Sequence, residues 1–188
     1  FHIGEGDSTT VLVNADTMFA AMKQPLPPNV AKGTDLKFIV KMRKIQSQIE
    51  MQKEMADKKT NEGKYMNEYV AKKMAGATAS ADGIFNLTTK PGTGVSPAPG
   101  DTVTVGYVGK FMDGKVFDQS NPAQPFSFPV GKGMVIPGWE KTLLSMKAGE
   151  KRTVLIPSIL AYGEQGAGGA IPPNAPLVFD IELVSVKK

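Results

Sequence analysis

Trp139 is the residue best suited to a specific binding role, since it is the only tryptophan in the 188-residue chain. It ends the run Val135-Ile-Pro-Gly-Trp139 and precedes a segment with apolar residues at helical spacing. Pro137 suits the first turn of a helix, where its missing N–H leaves no hydrogen bond unmade. A large indole is usually buried, often where it packs against another flat group. The run therefore predicts a buried turn that opens a short helix. The indole either fills the core or forms the floor of a pocket.

The groups needed for covalent or metal chemistry are scarce. The chain has no cysteine, which excludes disulfides, thiolate catalysis and cysteine-based zinc sites, and its one histidine is His2. The glycine-rich stretch at 163–169 lacks the Lys-Ser/Thr of a phosphate-binding loop and the strand–glycine–helix setting of a dinucleotide site. No carboxylate pair is placed for hydrolysis. We therefore predict no metal and no cofactor.

Composition indicates a globular protein that does not bind nucleic acid. The formal net charge is +4, and the lysines are spread along the chain, which is typical of a solvated surface. No apolar run approaches the roughly 20 residues of a membrane span. The chain begins with Phe1 and shows no signal-peptide pattern, as a processed product or a fragment would.

The first part of the chain predicts two strands and a long helix. Residues 9–13 and 35–44 are rich in β-branched or alternating apolar residues. From about Ile45 to Met74 the apolar residues recur at helical spacing, with a weak stretch at 59–64 that could break or bend the helix. It is either a connector lying on a domain or a dimerisation helix. Residues 76–82 are small and favour a helix stop and a hinge.

The second part, residues 83–188, predicts an antiparallel sheet with one short helix, an α+β module. Thr102–Phe111 alternates between apolar and polar residues, and Asp113-Gly114 signals a hairpin turn. Further strands are expected at 126–128, 152–156 and 177–183, with a glycine-rich loop at 161–171.

An internal repeat links the two β-rich ends. Three blocks of the second part recur in the same order in the first. They pair Gly149–Ile156 with Gly6–Val13, Ile171–Asn174 with Leu26–Asn29, and Leu177–Leu183 with Leu36–Met42. Residues 1–45 are therefore interpreted as the carboxy-terminal half of a degenerate second copy. Its front half must come from a retained fragment or from another chain, such as a second copy in a homo-oligomer, because unpaired strand edges need cover.

Residues 83–188 resemble the FKBP-type peptidyl-prolyl cis-trans isomerase family. Three segments carry the resemblance, and they are VTVGYVGKFMDGKVFDQS, PFSFPVGKGMVIPGWEKTLLSMKAGEKRTVLIPSILAYG and GGAIPPNAPLVFDIELV. The resemblance implies a five- or six-stranded antiparallel half-barrel wrapped around one short helix. It divides the chain into a degenerate half-domain (1–45), a connecting helix and hinge (46–82) and an isomerase domain (83–188). This layout is similar to the tandem FKBP proteins of Bacteroidetes-type bacteria, which implies the cell envelope, as a periplasmic protein or a lipoprotein.

The resemblance also implies a pocket. Its catalytic members are Asp118, Tyr162, Phe117 and Ile136, and its substrate-binding members are Tyr107, Phe126, Val135, Trp139, Ile171 and Phe179. Two features depart from the best-known members of the family. The loop between Asp118 and Phe126 is shorter and carries no arginine, and Ala167 and Ala170 replace larger side chains, so the pocket wall should be more open.

Such a pocket needs no nucleophile. Rotation about an X-Pro amide has a barrier of about 18–20 kcal/mol, because conjugation is lost in the twisted form, and a catalyst need only bind that form better than the planar one. Trp139 would lie beneath the proline ring, the Ile136 N–H would hold the carbonyl that follows proline, and Tyr162 would hold a substrate carbonyl. Asp118 would orient the Tyr107 hydroxyl and act electrostatically, although Tyr107 could equally be core packing.

The sequence thus predicts a prolyl isomerase that acts on X-Pro bonds in folding proteins and binds FK506- or rapamycin-type macrolides. The alternative is a non-catalytic chaperone that holds clients in the same pocket or on the methionine-rich helix. A third hypothesis is a structural assembly protein. It would be favoured if residues 1–74 formed a large symmetric interface that closes the pocket. Residues 1–45 are expected to be catalytically silent.

Overall fold

The computed structural model describes residues 6–41 and 48–188. The chain divides into two compact units, residues 1–51 and 52–188. In the described part of the chain, no helix combines the length and the hydropathy that crossing a membrane requires.

The first unit contains a two-stranded antiparallel sheet. β1 (Ser8–Asn14) leads into α1 (Ala15–Ala21) and returns as β2 (Asp35–Lys41). Both predicted strands are confirmed within the described residues, and positions 42–44 of the second lie outside them. The sequence did not predict α1. It is only seven residues long, and its main local signal is Asn14, whose side chain accepts a hydrogen bond from the Thr17 N–H.

α2 (Gln48–Lys73) is one continuous helix, so the predicted break at 59–64 is not observed, and the alternative of a bend there stays a prediction. The stretch is held by its own side chains, since the Asn61 amide and the Tyr65 hydroxyl both donate to the Asp57 carboxylate, at 2.7 and 2.8 Å. Residues 45–47 of the predicted helix lie outside the described residues. Met66 in the last turns of α2 and Met74 just after the helix are buried against Leu155 and Val178 on the outer face of the sheet in the second unit. Whether α2 is a connector or a dimerisation helix stays a prediction.

The second unit is built on a seven-stranded antiparallel sheet. Its order is β3-β4-β8-β9-β5-β6, with β7 paired to β5. The strands are β3 (Thr78–Ala79), β4 (Phe85–Lys90), β5 (Thr102–Phe111), β6 (Val116–Gln119), β7 (Phe126–Pro129), β8 (Lys151–Ile156) and β9 (Leu177–Lys187). The predicted α+β architecture is confirmed. The expected count of five or six was too low, because the sequence did not predict β3, which has only two residues, or β4. β6 and β7 share one edge of the long β5.

α3 (Pro137–Leu144) packs on the sheet and completes the core. Trp139 and Leu143 are buried from the helix side, against residues of β8 and β9 such as Ile156 and Phe179. The helix lies close to β8 because Gly138 has no side chain, and a Cβ there would be 2.4 Å from Ile156 Cγ2. This contact fixes the depth at which Trp139 enters the core.

A buried ion pair joins β8 to its surroundings. The Arg152 guanidinium donates to Glu150 Oε1, at 2.6 Å from Nη2 and 2.8 Å from Nε. The same oxygen accepts a hydrogen bond from the Thr88 hydroxyl on β4, and Oε2 accepts one from the Lys147 N–H. One carboxylate therefore links β4, β8 and the turn that follows α3.

Candidate active site

A cavity of about 170 Å³ opens beside the amino-terminal end of α3. Aromatic and apolar side chains supply most of its wall, and Asp118 is its one acidic residue. The lining consists of Tyr107, Phe117, Asp118, Phe126, Met134, Val135, Ile136, Trp139, Tyr162 and Phe179. The structure therefore brings together every predicted site residue except Ile171.

Trp139 forms the floor of this cavity and is held by rings on two sides. Tyr107 and Phe179 each meet it edge-on, with ring centroids at 4.9 and 5.3 Å and interplanar angles of 82° and 86°. Such edge-to-face pairs fix ring orientation as well as burying area. The buried indole N–H has no hydrogen-bond partner among the described residues.

Phe117 reaches the cavity because β5 has a glycine, Gly109, next to the Phe117 ring. Gly109 pairs with Asp118 in the ladder between β5 and β6, next to a register shift. A Cβ at Gly109 would lie 2.8 Å from Phe117 Cζ and 3.0 Å from Phe179 Cε1. These two rings meet edge-on at 5.7 Å. The glycine therefore leaves the space in which the Phe117 and Phe179 rings sit.

The turn before α3 places Ile136 in the cavity lining. The Ile136 carbonyl accepts from the Trp139 N–H at 2.9 Å and so begins the helix, whereas the Ile136 N–H makes no hydrogen bond within the described part of the chain. Glu140, one turn into the helix, accepts from the N–H groups of Gly131 and Gly133. The carboxylate thus anchors the loop that leads into Val135 and Ile136.

Asp118 is tied to the cavity wall by two hydrogen bonds. Its Oδ2 accepts from the Tyr107 hydroxyl at 2.7 Å, and its Oδ1 accepts from the Gln119 N–H at 2.9 Å. Burial, followed by the hydrogen bond and the negative charge of Asp118, raises the pKa of Tyr107 to about 12. The phenol therefore stays protonated and holds the carboxylate in one orientation at neutral pH.

Tyr162 lies on a segment that is fastened through Ser158. The Ser158 carbonyl accepts from the N–H groups of Ala161 and Gly163, at 2.9 and 2.8 Å, on either side of Tyr162. Ser158 itself donates its N–H and its hydroxyl to the Glu62 carboxylate of α2. Burial and the charge of Asp118 raise the pKa of Tyr162, so its hydroxyl also stays a hydrogen-bond donor.

Comparison with known proteins matches this part of the chain to one family. The model of the family described as FKBP-type peptidyl-prolyl cis-trans isomerase matches residues 94–184. FK506-binding protein 2 of Candida glabrata is 53% identical over 92 residues, covering 48% of this chain and 68% of that protein. A crystal structure of a peptidyl-prolyl cis-trans isomerase from Pseudomonas syringae pv. tomato has a TM-score of 0.64 at 39% identity, covering 77% of this chain and all of the other.

The chain belongs to the FKBP-type peptidyl-prolyl cis-trans isomerase family.

Other FKBP relatives are longer than the stretch they share with this chain. The probable FKBP-type isomerase FkpA of Neisseria meningitidis is 44% identical over 140 residues, which is 72% of this chain but 50% of that protein. FK506-binding protein 2 of Yarrowia lipolytica is matched over 61% of its length. The chain therefore spans less than two thirds of several relatives.

Two residues at this FKBP site differ from the sequence-based expectation. Ile171 does not line the cavity but is buried in the core, and its N–H and carbonyl both bond to Ala167 across the glycine-rich loop. Its place in the substrate site stays a prediction. Met134 does line the cavity, and its position directly before Val135 in the sequence was the available signal. Glu62 could not have been found, because 96 residues separate it from Ser158.

Larger concavities lie elsewhere on the FKBP unit, and two of them have volumes of about 630 Å³ each. One lies between α2 and the segments at 111–115 and 170–176, and the other lies over the strands on the side of Arg152 and Glu182. Neither is lined by Trp139, Asp118 or Tyr162. Volume alone would favour them, but their linings include several charged side chains and lack the converging aromatic rings of the smaller cavity. We therefore regard the smaller cavity as the candidate active site.

Proposed function

We propose that residues 83–188 accelerate the cis-trans isomerisation of X-Pro bonds in folding proteins. The observation that carries the proposal is the aromatic cavity floored by Trp139, with the hydrogen-bonded pair of Tyr107 and Asp118 at its wall. Membership of the FKBP family supports the same activity. Proline has a compact apolar ring, and a cavity of about 170 Å³ is of the size to take that ring and its adjoining amide.

The proposed mechanism is preferential binding of the twisted amide. The planar amide is stabilised by conjugation, and the barrier of about 18–20 kcal/mol is the cost of losing it. The rings of Phe117, Trp139 and Phe179 would exclude water from the rotating bond. A carbonyl oxygen that has lost conjugation carries less negative charge and tolerates that apolar environment better. Binding energy is then gained mainly in the transition state, which is what raises the rate.

Polar groups would fix the substrate on either side of the rotating bond. The Ile136 N–H, which has no partner within the described residues, would donate to the carbonyl that follows proline. The Tyr162 hydroxyl would donate to a second substrate carbonyl. Asp118, held by Tyr107, would act on the twisted carbonyl through its charge and would transfer no proton.

Partners and location follow from the same proposal. We expect unfolded or folding proteins with X-Pro bonds as substrates, and FK506- or rapamycin-type macrolides as competitors for the cavity. We also propose a bacterial cell-envelope location, periplasmic or as a lipoprotein, supported by the tandem FKBP-like layout of the sequence. Nucleic acid is not an expected partner.

The non-catalytic chaperone has less support. In that alternative the methionine-rich helix would hold clients, but Met66 and Met74 are buried against the sheet. An isomerisation assay on an X-Pro peptide, by NMR exchange or coupled proteolysis, separates the two functions. We expect catalysis that is largely lost in Phe117→Ala and Asp118→Asn. If adding the protein does not accelerate isomerisation of the peptide but does suppress aggregation of unfolded clients, the chaperone alternative is correct.

A further inference from the structure

The strand pair of the first unit has the same register as the last strand pair of the second. Val13 pairs with Leu36. Their aligned counterparts in the internal repeat, Ile156 and Leu177, also pair with each other. The register also agrees at the other end of the two strand pairs, where Ser8 pairs with Lys41. Their aligned counterparts, Lys151 and Glu182, pair with each other in the same way. Since a one-residue slip would turn every side chain to the opposite face, the shared register means that corresponding side chains share a face.

The turn and the connection around these strands also correspond. Gly6 and Gly149 are aligned in the repeat and have positive φ angles of 88° and 85° just before their strands. β1 is followed by α1, and β8 is followed by a 3₁₀ turn at Ser158–Leu160, before each chain returns as the partner strand. The two segments therefore share local backbone structure as well as sequence.

Burial of the corresponding side chains differs sharply. Phe179 on β9 is 4% exposed, whereas its counterpart Phe38 on β2 is 40% exposed. Val154 on β8 is fully buried, whereas its counterpart Val11 on β1 is 41% exposed. These residues belong to the face that α3 covers in the second unit. The described residues of the first unit thus include the apolar face of an FKBP sheet but none of the elements that cover this face in the second unit.

The second unit shows what covers that face. There, β5 pairs with the outer edge of β9, β4 pairs with the outer edge of β8, and α3 packs on the apolar face. Within the described residues, β1 and β2 pair only with each other. Their outer edges therefore offer backbone donors and acceptors that can take added strands.

We propose that residues 8–41 are a docking surface for an FKBP amino-terminal half, a polypeptide of the kind formed by residues 83–148. Its long strand would pair antiparallel with the outer edge of β2, as β5 does with β9. Its short helix would cover Val11, Phe38 and Val40. Docking would complete a second FKBP-like domain.

A second copy of the same surface fits less well. Two β2 strands could pair edge to edge, but that pairing adds no helix and leaves the apolar face of each sheet in water. A strand joined to a helix covers both the edge and the face. The partner is therefore defined as a strand-and-helix segment rather than another hairpin.

A fusion that replaces residues 1–5 and keeps the rest of the chain tests this proposal. Residues 83–148 are placed directly before Gly6, which keeps the spacing of the second unit because Gly6 is aligned with Gly149. Hydrogen exchange of the β2 amides is compared between the fusion and the chain alone, with β9 as the internal reference. We expect at least tenfold slower exchange at 36–41 in the fusion, as for a strand that gains a partner.

Matched variants and light scattering decide the outcome. In the fusion, Phe38→Asp on the covered face should abolish the added protection, whereas Ile39→Asp on the opposite face should retain it. Equal, fast exchange of β2 in the fusion and in the chain alone would overturn the proposal. The proposal would also be overturned if β2 were strongly protected in the chain alone and light scattering gave the mass of a dimer. That result would identify a second copy as the occupant.

Discussion

The Glu62 carboxylate on α2 accepts hydrogen bonds from both the backbone N–H and the hydroxyl of Ser158. Ser158 is buried, and its carbonyl holds the N–H groups on either side of Tyr162. A second contact, the ion pair between Lys59 and Glu164, joins the same helix to the residues after Tyr162. The helix is thus part of the support for the cavity.

Removing the Glu62 carboxylate should weaken catalysis without unfolding the protein. In Glu62→Ala, the two Ser158 donors lose their partner, which costs about 1–3 kcal/mol for a buried group. Tyr162 is then held less firmly, so we expect the KM for an X-Pro peptide to rise more than kcat falls. Lys58→Ala, which removes an exposed pair with Glu54, is the control and should leave both constants unchanged. Unchanged constants in Glu62→Ala would show that the helix does not position Tyr162.

The hydrogen bond from Tyr107 to Asp118 should be visible in a tyrosine titration. The pKa of Tyr107 is raised from 10 to about 12, so the folded state keeps a proton that the unfolded state has lost between these values. Its contribution to the free energy of unfolding is therefore complete below pH 10 and lost as the pH rises through about 12. Ultraviolet titration of the folded protein should show tyrosine ionisation extending to about pH 12, the pKa of Tyr107. Asp118→Asn should bring that ionisation to lower pH, and an unchanged titration would contradict the assigned pair.

Gly109 should tolerate no side chain. A Cβ at this position would lie 2.8 Å from Phe117 Cζ, so the ring must move out of the cavity wall. We expect Gly109→Ala to cost about 1–3 kcal/mol of stability, as overpacking does, and to lower kcat/KM strongly. Gly106→Ala, on the same strand, is the matched control, because the nearest atom to its Cβ would be 3.9 Å away. Equal activity in the two variants would show that the Phe117 ring position is unimportant.

The sequence predicted most of the strands and all but one of the cavity residues because these signals are local. The alternation of apolar and polar residues identified β5, and the sequence around Trp139 carried the family resemblance. The unpredicted features depend on contacts between distant residues or on short elements. Glu62 meets Ser158 only because α2 packs on the sheet, and α1 is too short to have a periodic pattern. Ile171 was assigned by resemblance to the cavity, yet here the glycine-rich loop folds it into the core.

The buried pair of Glu150 and Arg152 should stabilise the fold far more than a surface pair on the same strand. Removing one partner leaves a buried charge without compensation, which typically costs about 3–5 kcal/mol. In Arg152→Ala the Glu150 carboxylate would lose its cation while remaining bonded to Thr88 and the Lys147 N–H. Lys151→Ala removes the exposed pair with Glu182 and should cost no more than about 1 kcal/mol. Urea unfolding of the two variants provides the comparison, and similar midpoints would show that the buried pair contributes little. Because neither residue lines the cavity floored by Trp139, isomerase activity of the folded fraction should be retained in both.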